Sequence, residues 1–369
     1  MLLAPLIVNL DENRKNNGHS VQKQSLERQE VIMGRPYGLL RAGYPFHKTL
    51  SMRRTTNFPV DIAIGKEGRL YIMCRSDGTA MIRKYTVEDE DLGTMGGYGQ
   101  GDGQFTWPVT ITPDSEENLY VSDEYLHRIV TFNSEGEHIG TWGEHGTESG
   151  QLNGPAGMDF DPEGNLYVAD SLSHRVQKFT KDGKFLLGWG SYGDGEGEFN
   201  MPWGVAVDEL GDVYVSDWRN DRIQKFNAEG EFLFEFGKSG SGNGELNRPA
   251  GIDVDLYGDI YVADRGNDRI QLFNAEGRYV QKFLGDATLS KVSQAYMMTN
   301  ASPNRMRDMA DLEPQKYLRQ PKSVAVSDDG LMFVPDFGSY RVQVYRNMAV
   351  PLSEQEFSPP RRSVTLHQE

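Results

Sequence analysis

Cysteine is nearly missing from this chain of 369 residues: Cys74 stands alone. A disulfide framework needs pairs and a structural zinc module needs several thiolates, so both are excluded. No run reaches the 18 apolar residues that a membrane-spanning helix requires. The opening MLLAPLIVNL is apolar but short and has no basic flank. The expectation is therefore a soluble, cytoplasmic protein with no membrane insertion. Positive charge is in deficit, with 38 Lys and Arg against 54 Asp and Glu, a net −16. So acidic a chain repels a phosphate backbone, and nucleic acid is not an expected partner.

Glycine and proline, in contrast, are plentiful and periodic. A proline followed by a short apolar run recurs at Pro59, Pro108, Pro155, Pro202, Pro249 and Pro321, in steps of 49, 47, 47, 47 and 72. Each unit holds four strand-length runs rich in Val, Ile, Phe and Tyr. In the fourth unit these are WGVAVDE, GDVYVSD, RIQKFNA and FLFEFG. Turns such as DPEGN, DELGD, NSEG and NAEG separate them, where glycine supplies positive φ and the acids and amides hold the bend. Four antiparallel strands per 47 residues, six times over, specify an all-β, six-bladed β-propeller. One such sheet cannot bury both faces alone, but six in a ring can. Blade six lacks a fourth strand at its C-terminal end. YGLLRAGYPF (Tyr37–Phe46) resembles the fourth strand of blade three, so the N-terminal segment is expected to supply the outer strand of the last blade. The propeller is expected over 34–349, with mobile tails at 1–33 and 350–369.

The unit PAGIDVDLYGDIYVADRGNDRIQLFNAEG (Pro249–Gly277), with preceding loops such as GEGEF and GNGEL, resembles the NHL repeat. The resemblance covers Tyr37 to Arg346, strongest in blades two to five and weakest in blade one. It implies a six-bladed propeller of the NHL type. The leading expectation is a binding module for a protein, peptide or small ligand. The alternative is a metal-assisted lyase or hydrolase holding zinc or calcium. Amidating lyases with similar blades carry His after the blade proline. Here that position holds Val60, Val109, Ala156, Trp203, Ala250 and Lys322.

Five blades place Asp and Arg five residues apart: Asp123/Arg128, Asp170/Arg175, Asp217/Arg222, Asp264/Arg269 and Asp336/Arg341. A catalytic group is needed once, so a fivefold pair is a structural brace across the hairpin. Blade one replaces both partners together, with Cys74 and Met81, as a paired role requires. GWGSYG (Gly188–Gly193) fits a phosphate-loop pattern but leads to a strand, not to the helix that would hold pyrophosphate.

Between the braced ends the turns differ: DEYLHR, DSLSHR, DWRNDR, DRGNDR and DFGSYR. Propeller geometry puts these turns on one face with the loops that link blades. The candidate ligand-binding residues there are Trp107, Tyr125, His127, His174, Trp203, Trp218, Arg219, Arg265 and Tyr340, types enriched in hot spots. His127, His174 and His145 are the candidate metal ligands, since zinc accepts three such nitrogens plus water. An insertion at about 286–320 separates blades five and six. Two helices are expected in it, ATLSKVSQAYMM and SPNRMRDMADL, the second capped by Ser302 with Pro303 at its first position. A segment of this length suggests a lid over the channel or a partner contact.

Overall fold

The structure, a computed structural model, describes residues 38–41, 43–52, 55–300, 305, 307 and 311–352. Of the expected tails, 1–33 and 353–369 lie outside the described residues, whereas 350–352 belong to a strand, Ala349–Leu352. The chain divides into two units. The smaller contains an antiparallel pair, Gly38–Arg41 with Ala349–Leu352.

The larger unit contains six sheets of four antiparallel strands each. Blade four runs Pro202–Val207, Val213–Asp217, Arg222–Phe226 and Phe232–Phe236. Inner strands of the other blades are Pro59–Ile64, Pro108–Pro113, Pro155–Phe160, Pro249–Val254 and the short Ala325–Val326. A proline opens five of the six inner strands, where the missing N–H forfeits least of the ladder.

Strand alternation then decides the core. Val213 and Val215 pack toward blade three, whereas Tyr214 between them packs toward blade five. Repeated around the ring, this yields six hydrophobic clusters, one at each junction of adjacent blades. The junction that closes the ring, between blades six and one, is packed like the others, with Leu50, Leu70, Ile72, Phe333 and Val344 all fully buried or nearly so.

The N-terminal segment supplies the outer strand of blade six, as expected, through Phe46–Leu50 paired with Arg341–Arg346. The position differs from the expected Tyr37–Phe46. Leu50 is fully buried in the closing cluster, and Tyr44 adds a 2.9 Å hydroxyl contact to Tyr261. Those buried contacts set the register, while Gly38–Arg41 pairs in the other unit.

In the insertion, helix α1 (Lys291–Thr299) begins later than Ala287, because the Ser290 hydroxyl caps it by accepting from the Ser293 N–H. Helix α2 (Glu313–Lys316) is one turn. The second expected helix, with its Ser302 cap, lies mostly outside the described residues. The segment leaves along the outer edge: Thr288 N–H donates to the Thr49 hydroxyl and Val292 N–H to the Asp89 carboxylate of blade one. Its described residues strap the rim from blade six to blade one, and none of them lines the channel. The expected lid over the channel is not formed by these residues.

The six inner strands surround a channel cavity of about 200 Å³. Blades three, four and five approach closely there through Gly157, Gly204 and Gly251. A Cβ on Gly204 would strike Ala250 O and come within 3.2 Å of Gly251 Cα. Gly204→Ala is expected to push blades four and five apart and cost about 1–3 kcal/mol. Urea unfolding checks this; an unchanged midpoint would refute the close approach.

Candidate functional site

The Asp that ends each second strand is fully buried in blades two to six. In four of them the following Arg reaches it: Arg175 Nε to Asp170 at 2.8 Å, Arg222 to Asp217 at 2.9 Å, Arg269 to Asp264 at 2.6 Å and Arg341 to Asp336 at 2.9 Å. The same guanidinium spans back to carbonyls of the loop before the blade. Arg222, for example, donates to Asp194 O, Gly195 O and Glu198 O. Gln224 adds a donor to Glu198 O, and the Asp217 carboxylate accepts from Asn200 N–H at 2.7 Å. Each unit of Asp, Arg and Gln therefore fastens a hairpin to its own entry loop.

Blade two departs from this. Asp123 and Arg128 face each other in register but form no ion pair: Arg128 Nε is buried without a partner, and Nη2 donates to Gly101 O and Gln104 O. Asp123 instead accepts from the N–H groups of Thr106, Trp107, Tyr125 and Leu126. Two sequence differences account for it. Val130 stands where the other braces have Gln and donates nothing. Blade one's hairpin, longer and without the brace (Cys74 opposite Met81), offers no acceptor to the Trp107 N–H.

That missing hold is visible in the other blades. His127, His174, Asp221, Asp268 and Tyr340 all adopt left-handed φ between 53 and 59°. Four of these side chains accept from the backbone N–H just before the next blade's proline: His127 Nδ1 from Gly154, His174 Nδ1 from Met201, Asp221 from Arg248 and Asp268 from Gln320. At blade six Tyr340 packs on Phe58, rings 4.6 Å apart. His127 and His174 are thus clips between blades, their Nδ1 atoms occupied as acceptors. Burial lowers the pKa of both; His145 also lowers that of His127, and Arg219 that of His174.

The expected grouping of His127, His174 and His145 is not formed. His145 stacks on His127 at 4.0 Å, but His174 sits against Tyr192 a blade away. Among the described residues no three His, Cys, Asp or Glu side chains gather as a metal would require. The residues present do not fit a zinc or calcium centre at this place.

What the structure does gather is a ring of variable residues at the channel mouth. One position follows each hairpin Asp or its equivalent, giving Arg75, Glu124, Ser171, Trp218, Arg265 and Phe337. The other follows each blade proline, and contributes Trp203 and Lys322. Arg75, Lys322 and Trp203 line one cleft. Arg75 lies 4.1 Å over Trp107 and donates to Pro108 O, and Lys322 lies 3.7 Å over the Phe337 ring. Burial lowers Arg75 to about 10 and Lys322 to about 7; Arg265 lowers both further, Arg75 also lowers Lys322, and Glu124 opposes the shift of each. Trp218 stands beside Trp203 at 5.9 Å, with Arg219 at 5.5 Å and Arg248 at 5.3 Å over its ring. Of the other candidates, Tyr125 is 63% exposed beside Trp107 in a shallow pocket completed by Glu124, His127 and Leu172. Sequence reasoning singled out Trp107, Trp203, Trp218 and Arg265 but missed Arg75, Glu124 and Lys322. The signal was present: these residues occupy the same two repeat positions.

Deeper in the channel, blades one, three and five contribute Asp61, Asp159 and Asp253. Each accepts from a backbone N–H of the following blade, Ile111, Val207 and Val326. Burial raises them to about 6, 7 and 8, and Asp159 raises Asp253 further.

The NHL repeat matches residues 152–179 and 199–226, which lie in blades three and four with their entry segments. Among solved structures, a gluconolactonase from Xanthomonas campestris superposes with a TM-score of 0.55 at 12% identity, covering 86% of this chain and 92% of that one. Virginiamycin B lyase from Staphylococcus aureus, solved with quinupristin, gives 0.52 at 14% identity over 85% and 89%. A Bacteroides thetaiotaomicron protein of unknown function gives 0.56 at 15% over 83% and 73%. At such identities the likeness is one of fold. A search of the curated proteins finds no match.

Arg222→Met should destabilise the protein by about 3–5 kcal/mol, since it strands Asp217 in the interior. Arg128→Met should cost under about half as much, because Arg128 holds no carboxylate. Equal losses in denaturant titration would contradict the difference between the blades. For the channel, a carboxyl raised in the folded state contributes stability that is present below its unfolded value of 3.8 and lost as pH rises through about 8. Asp253→Asn keeps the acceptor without the charge. Its melting temperature should exceed that of the unaltered protein above pH 8, with the gain shrinking toward pH 4.

Proposed function

We propose that this NHL-repeat propeller is a binding module that captures a small molecule, or one segment of a peptide or protein, at the channel mouth. One observation carries the reading. The brace positions repeat from blade to blade, while the two positions beside them vary and place Trp, Phe, Arg, Lys and Glu around a single opening. A repeated side chain is explained by the scaffold. Aromatic and cationic side chains that are not repeated, and that converge on a concavity, are the mark of a site.

The rigid ring and its clips would hold these side chains without ordering cost at the moment of capture. Trp107, Trp203 and Trp218 offer flat apolar faces, and Arg75, Arg265 and Lys322 supply charge. The neighbours named as gluconolactonase and lyase support the propeller as a scaffold for small-molecule sites, and their chemistry is not transferred. A metal-assisted lyase or hydrolase is the weaker reading, because the described histidines do not assemble a ligand set.

The test is a screen of metabolite and peptide collections against the unaltered protein and Trp203→Ala and Trp218→Ala variants. Ligands of the mouth should lose at least about tenfold in affinity in the variants, with melting temperatures shifted by only a few degrees. Ligands that bind all three proteins equally would place the site elsewhere.

A further inference from the structure

We infer that the mouth receives an oxyanion, a carboxylate or phosphate carried on an apolar or aromatic small molecule, between Arg75, Arg265 and Lys322. This rests on the mouth being the binding site. Elsewhere in the molecule, buried cations meet carboxylates: Arg222 meets Asp217, Arg269 meets Asp264, and Lys225 meets Asp208 and Asp212. The chain carries 54 acidic residues, so partners are not scarce. Yet among the described residues, Arg75, Arg265 and Lys322 make no ion pair. Arg75 is only 6% exposed, and its hydrogen bond goes to a backbone carbonyl.

Three cations placed together, with Arg265 lowering the proton affinity of Arg75 and Lys322 and Arg75 lowering that of Lys322, are a cost that a bound anion would remove. Two carboxylates are near. Glu124 bonds to Trp107 and, itself buried, is pushed toward its neutral form. Asp61 at the floor of the cleft is engaged by Ile111 N–H and Ser323 and raised to about 6. Below about pH 7, where Lys322 keeps its proton, three cations face two carboxylates, and the group is net positive in a protein of charge −16, which focuses anions on this opening.

Size and lining specify the ligand further. The cleft beside Arg75 and Lys322 is about 30 Å³, room for a head group and not for a whole molecule. The rest of the ligand would lie outward, beside Trp203 and Trp107, which is 39% exposed. Trp107 and Phe337 already hold the two innermost cations by their π faces.

The experiment uses the full chain and three probes of similar body: phenyl phosphate, benzoate and neutral benzyl alcohol. Tryptophan fluorescence and thermal shift read binding. Phenyl phosphate and benzoate should bind at least roughly tenfold more tightly than benzyl alcohol, and Arg265→Met with Lys322→Met should remove that advantage. Benzoate, charged throughout, should weaken as pH rises from 6 to 8.5, because free Lys322, lowered by burial and by Arg75 and Arg265 against the opposing Glu124, loses its proton near 7. Lys322→Met should flatten this profile. Should the double variant not fold, as circular dichroism would show, either single variant carries the comparison. Equal binding of all three probes, lost in Trp218→Ala, would overturn the oxyanion inference and leave the mouth as a binding site. Failure of every probe, or anion binding indifferent to Arg265 and Lys322, would overturn it as well. Ligands that bind without dependence on Trp203 or Trp218 would remove the site itself.

Discussion

A carboxylate with no access to water ends the second strand of five blades, and its satisfaction organises everything above it. A buried charge is tolerated only when paired and hydrogen-bonded. Asp217 meets this condition with Arg222, Gln224, the Asn220 side chain and the Asn200 N–H. Because Arg222 also grips three carbonyls of its entry loop, the turn and the loop cannot move independently. Side chains of the next turn residue then clip the following blade. The face of the propeller is thereby rigid, although it consists of loops.

Blade one is where this order is broken. Cys74 and Met81 replace the brace and join the hydrophobic cluster that closes the ring. Without a clip from blade one, Trp107 N–H is held by Asp123, and Asp123 no longer meets Arg128. Trp107 is left 39% exposed, stacked under Arg75 from the irregular blade. Loss of regularity in one repeat and the appearance of non-repeated chemistry at the mouth are thus one event seen from two sides.

The histidines show how an equivalent position can mislead. His127, His174, Asp221 and Asp268 share only the ability to accept a hydrogen bond, and that is what the position requires. Two histidines in neighbouring blades suggested a metal site because sequence spacing gives no distances. The insertion carries the same lesson. Its length suggested a lid, but Thr49 and Asp89 draw its described part along the rim.

By itself the sequence determined the blade count, the four-strand order, the brace and the closure by an N-terminal strand. Each follows from a period or a covarying pair within the repeat, and local pattern suffices for these. It also marked Trp107, Trp203, Trp218 and Arg265 as departures from that pattern. Only the tertiary structure decided which departures meet. Arg75 and Lys322 stand 247 positions apart in the chain, and the closing of the ring lines one cleft with both of them. Ring closure is a property of all six blades at once, so no single repeat could announce it.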